Sequence, residues 1–450
     1  MASSPASTRR LAALKRALRQ RPAYAEAHYN RGKVLEKIGD ARGACEAFRR
    51  AAAIDPRHPH AGYLHARALL LLGEPEAALL ALEGALADNP RDDWCSLLKG
   101  QVLWVRDGVG AALAWCREVA PRLPASGMMQ RYLATMLLAA GELEEGWRAY
   151  LRRDLAGPAP RAEVPAALPG RLDGTTLLLR AEQGLGDVLF FLRFALLLAD
   201  RGARLQARVP AKLVPLLART GRFAAVHDER APAAALGPFT ASLDMGDLPV
   251  VAGHFQAAPP TPLAPLEARG HAWRERLAAA GPGPYLGVTW RAGTDFRRGP
   301  EFGRNIQLLS KEIDLPMFGQ ALAGIGATLV VLQRAPAAGE VATLAKLARC
   351  SVFDASAAND DLEEALALLD ALDDCVGVSN TNMHLCAGLG RTARVLVPFP
   401  PDWRWMAEGN ESLWFPGFRL YRQTPGRDWS KALARLAADL RVCGTGSSRR

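Results

Sequence analysis

The segment Glu182-Gln183-Gly184-Leu185-Gly186-Asp187 combines two glycines with a carboxylate, a pattern suited to binding an anion or accepting a proton. Gly184 and Gly186 allow the backbone to approach a ligand closely, and free N–H groups at the start of a helix attract anions. Asp187 opens the predicted helix, so its carboxylate either caps that helix or faces the ligand as a general base. The segment alone leaves both roles of Asp187 open.

A second polar segment follows a short apolar run and precedes a helix that ends at Gly388 and Gly390. Its members are Ser379, Asn380, Thr381, Asn382, Met383 and His384. Hydroxyl and amide groups beside the free N–H groups of a helix start suit a pyrophosphate. Alternatively, Ser379 or Asn380 only caps the helix, and His384 is a structural histidine rather than a contact to a phosphate or a sugar.

A third group consists of cations that follow the predicted strand Tyr285–Trp290. They are Arg291, Arg297, Arg298, Arg304 and Lys311, with Asn305 among them. Several cations in one loop can neutralise a diphosphate leaving group. The alternative is a basic loop that is merely solvated.

Three tryptophans, Trp403, Trp405 and Trp414, lie close together after the last predicted buried strand. They are suited to form one wall of a nucleotide or sugar pocket. Packing beneath the C-terminal helix is the equally weighted alternative.

The elements that must position these groups alternate between strand and helix. Strands are predicted at Thr176–Leu179, Leu205–Val209, Tyr285–Trp290, Thr328–Gln333, Val352–Asp354, Cys375–Ser379 and Ala393–Pro398. This alternation is typical of βαβ units and parallel sheets. We expect two doubly wound halves, residues 173–280 and 281–442, with ligands bound beyond the carboxyl ends of their strands. A Pro- and Gly-rich linker, residues 156–172, precedes them.

The N-terminal third is an internal repeat of 34 residues. Prolines recur at Pro22, Pro56, Pro90 and Pro124, and small residues keep the same spacing at Gly32, Ala66, Gly100 and Ala134. Small residues let paired helices pack closely, and Gly39 and Gly73 suit the turns between them. The pattern resembles the tetratricopeptide repeat and predicts a helical solenoid over residues 8–155.

The concave face of such a solenoid usually holds a peptide segment. His28, Tyr29, Tyr63 and His65 are candidates to project from the first helices of the repeats. The alternative is that the array only braces the C-terminal region.

Composition narrows the class of protein. The net charge is +10, from 56 Lys and Arg against 46 Asp and Glu, yet no basic stripe with interleaved aromatics predicts nucleic-acid binding. The seven cysteines show no Cys-x-x-Cys pair, and no histidine set completes a metal site. No apolar run is long enough to span a membrane, and the first residues lack a signal sequence, so we expect a cytoplasmic protein.

Four motifs follow the repeats in the order Glu182–Asp187, Gly287–Trp290, Asn380–Gly390 and Pro398–Trp405. Together with the repeats, they resemble bacterial tetratricopeptide proteins with a C-terminal glycosyltransferase domain. That domain is similar to the ADP-heptose:lipopolysaccharide heptosyltransferases and, more distantly, to the O-linked N-acetylglucosamine transferases. The resemblance implies a GT-B fold, with two Rossmann-like halves and the nucleotide sugar bound mainly by the second.

The resemblance also implies roles for individual residues. Asp187 matches the aspartate proposed as catalytic base, and Thr381, Asn382 and Met383 match the helix start that holds the donor phosphates. Arg304 or Lys311 matches a phosphate-neutralising cation, although the alignment there is loose. Ser379 departs from the family, because many relatives have an aspartate there that contacts the donor. This change implies a different donor sugar or a domain that binds without turnover.

The sequence therefore predicts a glycosyltransferase that moves a sugar from a nucleotide-diphosphate sugar to an acceptor, with a protein acceptor held by the repeats. No Asp-x-Asp cluster stands where a metal-dependent transferase needs one, so no metal and no cofactor are expected. A lipid-linked or polysaccharide acceptor is an alternative. The rival hypotheses are a non-catalytic interaction scaffold with a degenerate transferase domain and, less favoured, another nucleotide-dependent enzyme such as an epimerase.

Overall fold

A computed structural model of the chain describes residues 5–153, 168–292 and 311–444. These residues form two compact units. The first, here called the repeat unit, comprises residues 5–137 and 152–153. The second, the α/β unit, comprises residues 138–151, 168–292 and 311–444. No helix in these described ranges is long and apolar enough to cross a lipid bilayer.

The repeat unit consists of consecutive helical hairpins, as predicted. Its helices are α1 (Pro5–Gln20), α2 (Ala25–Lys37), α3 (Ala41–Ile54), α4 (Ala61–Leu71), α5 (Pro75–Asp88), α6 (Asp93–Asp107), α7 (Val109–Val119) and the greater part of α8 (Gly127–Ala140). Gly39 and Gly73 adopt φ values of +86° and +79° at the turns between paired helices. A Cβ atom on Gly32 would lie 2.5 Å from the Phe48 ring, so the small residue of the repeat permits close helix packing.

The candidate projecting residues of the repeats divide into two classes. His28 and Tyr63 are buried, and the His28 ring is hydrogen bonded to the Pro22 carbonyl oxygen at 2.9 Å. Tyr29 and His65 are partly exposed. Of these four side chains, Tyr29 and His65 are therefore the ones that solvent partly reaches.

The first half of the α/β unit is a four-stranded parallel sheet. Its strands are β1 (Thr176–Arg180), β2 (Arg204–Val209), β3 (Ala225–Asp228) and β4 (Ala241–Asp244), in the order β3-β2-β1-β4. Helices α10 (Leu185–Ala199), α11 (Val214–Arg219) and α12 (Leu248–Val251) accompany it. The helix α10 is apolar along most of its length and is buried accordingly.

The second half is a six-stranded parallel sheet. Its strands are β5 (Tyr285–Thr289), β6 (Thr328–Val331), β7 (Val352–Asp354), β8 (Asp374–Val378), β9 (Arg394–Val397) and β10 (Arg419–Arg422), in the order β10-β9-β8-β5-β6-β7. The helices are α13 (Glu267–Ala280), α14 (Leu315–Ala321), α15 (Glu340–Ala348), α16 (Leu362–Ala371), α17 (Thr381–Gly388) and α18 (Ser430–Gly444).

The strand order of the second sheet is that of the doubly wound dinucleotide-binding fold. The order reverses between β5 and β8, and in the first sheet it reverses between β1 and β4. Ligands of such sheets bind beyond the carboxyl ends of the strands at these reversal points. The predicted fold class, a tetratricopeptide solenoid followed by two Rossmann-like halves, is confirmed.

The bound between the two halves differs from the sequence expectation. The helix α13 falls in the range 173–280 expected for the first half, but it packs on the second. Trp273 donates to the Glu364 carboxylate at 2.8 Å, and Arg269 pairs with Asp361 at 2.6 Å. In addition, most of the expected linker 156–172 lies outside the described residues.

The helix α9 (Leu143–Tyr150), which the 34-residue period assigns to the last repeat, belongs to the α/β unit. Its Trp147 is 1% exposed. Five aromatic rings from both halves surround it at centroid distances of 5.2–6.4 Å: Phe190, Phe191 and Phe194 of α10, and Trp403 and Trp414 of the second half. This helix thus forms part of the core that joins the two sheets.

Candidate functional site

The strands β5 and β8 end side by side at the reversal point of the second sheet, and Asn380 links their ends. Its Oδ1 atom accepts a hydrogen bond from the Asn382 backbone N–H at 3.0 Å, so Asn380 is the N-cap of α17. Its Nδ2 atom donates to Thr289 Oγ1 at 3.1 Å. The capping interpretation of Asn380 is therefore confirmed, and the cap holds the start of α17 at the carboxyl edge of the sheet.

The other members of this segment differ in accessibility. Thr381 is partly exposed, whereas Ser379, Asn382 and Met383 are buried. Of the described side chains in this first turn, Thr381 is consequently the one best placed to meet a ligand. The side chains of the buried members do not face a ligand, and the Asn382 N–H is already bound by Asn380.

Arg291 is engaged within the second half. Its guanidinium pairs with Glu340 and donates to the Ala335 carbonyl oxygen at 3.1 Å. Burial alone would raise the pKa of Glu340, but hydrogen bonds from Arg291 and from the Ala337 N–H lower it below its usual value. Arg291 therefore organises the loop after β6. A donor contact from Arg291, as predicted from the sequence, would have to compete with Glu340.

Asp187 lies in the first turn of α10, and Gly184 is the N-cap residue, so the capping interpretation of Asp187 is wrong. Its partly exposed carboxylate instead forms an ion pair with Arg404 of the second half. The guanidinium of Arg404 also contacts Asp402 at 3.2 Å, and Lys311 Nζ lies 3.9 Å from Asp402. Two carboxylates and two cations from the two halves thus meet at one point.

The environment of Arg404 stabilises its charge. The side chain is 7% exposed and lies over the rings of Trp403 and Phe190, at 4.2 and 4.9 Å from their centroids. Burial alone would lower the pKa of Arg404, but Asp187 and Asp402 raise it. Conversely, burial would raise the pKa of Asp402, and Arg404 and Lys311 hold it below its usual range.

Gly186 is required where α10 crosses α17. A Cβ atom at this position would lie 2.9 Å from His384 Cδ2. This helix contact accounts for the glycine without any ligand. Gly184 has no such neighbour, because the nearest atom to its added Cβ would be Asp187 Oδ2 at 3.4 Å.

His384 is 8% exposed, and its ring makes edge contacts with Phe415 and Phe190. Burial, assisted by the charges of Arg404, Arg193 and Lys311, holds the pKa of His384 well below its usual value. The imidazole is therefore neutral near pH 7. Its Nδ1 atom has no hydrogen-bond partner among the described residues.

Arg193 adds a further buried cation on α10. It donates to the Trp414 carbonyl oxygen at 2.7 Å, and no carboxylate of the described chain pairs with it. Burial and the nearby Arg404 lower the pKa of Arg193 to about 9, so it is charged at neutral pH. With Arg404 and Lys311 it makes three cations against the carboxylates of Asp187 and Asp402. The described part of the site therefore favours an anion.

The tryptophans pack inside the α/β unit, but not at the place that the sequence alternative gave them. Trp403, Trp405 and Trp414 are all buried, and they pack on α9 and α10 or on Phe415, rather than beneath the closing helix. Arg304, together with Arg297, Arg298 and Asn305, lies outside the described residues. Lys311, the other cation predicted to neutralise a phosphate, lies at the site beside Asp402, and its side chain is 27% exposed.

Sequence reasoning missed four participants: Tyr150, Arg193, Asp402 and Arg404. Tyr150 of α9 donates to Gln183 Oε1 at 3.0 Å, and Gln183 donates to Glu182, which also accepts from the Gly246 N–H. The run Asp402-Trp403-Arg404 was noted only for its aromatics. The two charged residues of this run follow shortly after a predicted buried strand, and this position was the sequence feature that could have marked them as site residues.

Comparison with known proteins gives matches to both parts of the chain. A family model described as TPR repeat matches residues 11–39. Protein FlbA of Caulobacter vibrioides (strain ATCC 19089 / CIP 103742 / CB 15) is 27% identical over 362 residues, which are 74% of this chain and 59% of FlbA. The chain thus spans about 59% of the length of this curated relative.

Similar solved structures include a glycosyl transferase family 9 protein from Veillonella parvula DSM 2008, with 10% identity and a TM-score of 0.42 over 56% of this chain and 86% of that one. They also include TTC0263, a thermophilic TPR protein of Thermus thermophilus, with 25% identity and a TM-score of 0.27 over 32% of this chain and 78% of that one. The family model thus finds a repeat of the kind that the sequence resemblance predicts for the N-terminal region.

Proposed function

We propose that this chain is a glycosyltransferase that moves a sugar from a nucleotide-diphosphate sugar to an acceptor hydroxyl. The observation that supports this most is that groups suited to bind a diphosphate lie opposite a carboxylate that can act as a base. The capped start of α17 and the cations Lys311 and Arg404 belong to the second half, and the Asp187 carboxylate faces them from the first. A diphosphate-binding surface opposite a carboxylate is what such a transfer requires.

In the proposed reaction the acceptor oxygen attacks the anomeric carbon and its proton passes to Asp187. The bond from that carbon to the diphosphate oxygen breaks, and the nucleoside diphosphate leaves with the electron pair. The positive end of the α17 helix dipole and the Lys311 ammonium stabilise the charge that develops on the leaving group. We propose inversion at the anomeric carbon and no metal requirement.

The acceptor in this proposal is a protein segment that binds to the repeat unit. Helical repeats present an extended surface, and Tyr29 and His65 remain partly exposed on their first helices. A protein acceptor would thus be selected by one unit and modified by the other.

Particular observations favour the alternative of a non-catalytic scaffold. Asp187 and Arg291 both have ion-pair partners within the protein, and Ser379, which replaces an acid found in similar transferases, is buried. A scaffold would not need to bind a nucleotide. Binding of the donor therefore separates the two functions.

The test is calorimetric titration of the whole protein with ADP, GDP, UDP and CDP. Thr381→Glu places a carboxylate at the start of α17, where it interacts favourably with the helix dipole but repels a phosphate. We expect one nucleotide to bind the wild type, Thr381→Glu to weaken that binding at least about tenfold, and the neutral control Thr381→Gln to change it little. If no nucleotide binds a protein that unfolds cooperatively, the transferase proposal fails and the scaffold is favoured.

A further inference from the structure

The donors of the Arg404 guanidinium are unequally occupied. One terminal nitrogen bonds to Asp187, the other lies 3.2 and 3.4 Å from the two oxygens of Asp402, and Nε has no partner among the described residues. An unpaired donor on a buried cation costs free energy unless some ligand or water satisfies it. Arg404 therefore retains binding capacity in addition to its two ion pairs.

The two carboxylates are held very differently. Asp402 belongs to the same turn as Arg404, accepts the Arg404 backbone N–H at 3.0 Å and is shared with Lys311. Asp187 comes from α10 of the other half, and its side chain is 32% exposed. Of the two, Asp187 is the partner that a ligand entering between the halves can displace.

We propose that Arg404 is a partner-exchanging residue: when the donor binds, its guanidinium passes from the Asp187 carboxylate to the donor diphosphate and frees Asp187 to act as the base. This inference rests on the proposed function and assigns donor binding to a residue outside the predicted set. No covalent bond changes in the exchange, since one ion pair replaces another. The flanking rings of Trp403 and Phe190 hold the guanidinium in place while its partner changes.

The exchange has a direct consequence for the order of events. Before donor binding, the carboxylate that must accept the acceptor proton is ion-paired and its lone pairs are occupied. After donor binding, the diphosphate satisfies Arg404, and Asp187 is exposed to the acceptor hydroxyl. The base thus becomes available only when a diphosphate occupies the site.

The competing explanation is that the Asp187–Arg404 pair only fastens the two halves together. The chain offers a matched control for this role, because Arg219 of the first half makes a bidentate ion pair with Glu363 of the second, at 2.7 Å for both bonds. Glu363→Gln weakens a link between the same two halves without altering the site.

The experiment measures the dissociation constants of inorganic pyrophosphate and of ADP, GDP, UDP and CDP for the wild type, Asp187→Asn, Arg404→Gln, the double variant and Glu363→Gln. If Asp187 and the diphosphate compete for Arg404, we expect Asp187→Asn to tighten pyrophosphate binding at least about fivefold. Arg404→Gln should weaken it by a similar factor or more, and Glu363→Gln should leave it unchanged.

The double variant separates exchange from simple charge repulsion. If the gain from Asp187→Asn acts through Arg404, it disappears in the Arg404→Gln background, whereas plain repulsion between Asp187 and phosphate preserves it. A preserved gain, or an unchanged or weaker affinity in Asp187→Asn, overturns the exchange but leaves the proposed function standing.

Two further outcomes complete the test. Failure of all the probes to bind either the wild type or Asp187→Asn overturns the proposed function and the exchange together. Should Arg404→Gln fold poorly, Arg404→Lys takes its place: it keeps the charge but loses the forked geometry, so it should bind pyrophosphate less tightly than the wild type.

Discussion

His384 shows how the neighbours of a residue set its ionisation. Burial between Phe190 and Phe415 disfavours the charged ring, and the cations Arg404, Arg193 and Lys311 disfavour it further, whereas Asp402 acts in the opposite direction. The histidine is neutral in the folded protein at a pH where it is already charged in the unfolded chain. Folding is therefore coupled to the release of a proton from this residue.

This coupling predicts the pH dependence of stability. The pKa of His384 is lower in the folded state than its value of about 6.5 in the unfolded chain. The stability that the neutral His384 contributes to the folded state is therefore complete above pH 6.5 and is lost as the pH falls. We expect the wild-type free energy of unfolding to fall, through this residue, by up to about 1.4 kcal/mol for each pH unit below 6.5. His384→Asn lacks this pH-dependent part of the free energy of unfolding. The difference in free energy of unfolding between wild type and variant should therefore become smaller as the pH falls. A difference that stays constant between pH 8 and pH 5 in denaturant titrations contradicts the prediction.

At this scale the sequence predicts local roles better than distant partners. The capping role of Asn380 was foreseeable because a cap and the N–H that it binds are two residues apart. The partner of Asp187 was not, since Arg404 lies 217 positions away and no spacing rule connects them. The packing of α10 against the second half brings the two residues together.

Among the secondary-structure elements, those with a clear hydrophobic period were predicted best. The bounds predicted for β7 are the ones observed. The strands β3 and β4 were missed because half of the residues in each are polar, so neither shows the apolar run that marks β6 and β9. The helix α13 was missed because its buried face is narrow: only Gly270, Trp273 and Leu277 are buried along its 14 residues, and only two of them have large apolar side chains.

The helix α9 carries a prediction about stability. Replacing Trp147 by alanine removes a buried ring that contacts aromatics of both halves, and such truncations cost about 3–5 kcal/mol. We expect Trp147→Ala to lower the unfolding midpoint of the α/β unit in urea. The matched control is Trp115→Ala on α7 of the repeat unit, where the ring is only partly buried. If the two variants shift that midpoint equally, Trp147 is not part of the core that joins the sheets.

On the scale of the whole molecule, the repeat period and the compact units divide the chain differently. The 34-residue period runs through α9, and composition places the boundary in the linker at 156–172. The contacts of the folded chain instead assign residues 138–151 to the α/β unit. The sequence period therefore groups α9 with the repeats, whereas the contacts of its side chains place it in the core of the α/β unit.

This assignment predicts which truncated chains fold. A chain that begins at residue 168 lacks α9, so the faces of Phe190, Phe191 and Trp403 that pack on Trp147 become exposed to water. It also loses the Tyr150 hydroxyl that bonds to Gln183 beside the candidate site. We expect this chain to bind a hydrophobic dye and to melt over a broad range. A chain that begins at residue 127 retains α8 and α9 and should melt cooperatively.

Calorimetry and dye fluorescence on the two truncated chains, with the whole protein as reference, measure this difference. The chain from residue 127 controls for loss of the other repeats, because it lacks them as well. If the chain from residue 168 melts as sharply as the one from residue 127 and binds no more dye, α9 is dispensable to the α/β core. If it melts broadly but recovers a sharp transition on addition of a peptide covering residues 138–153, the helix acts through packing alone and needs no covalent connection.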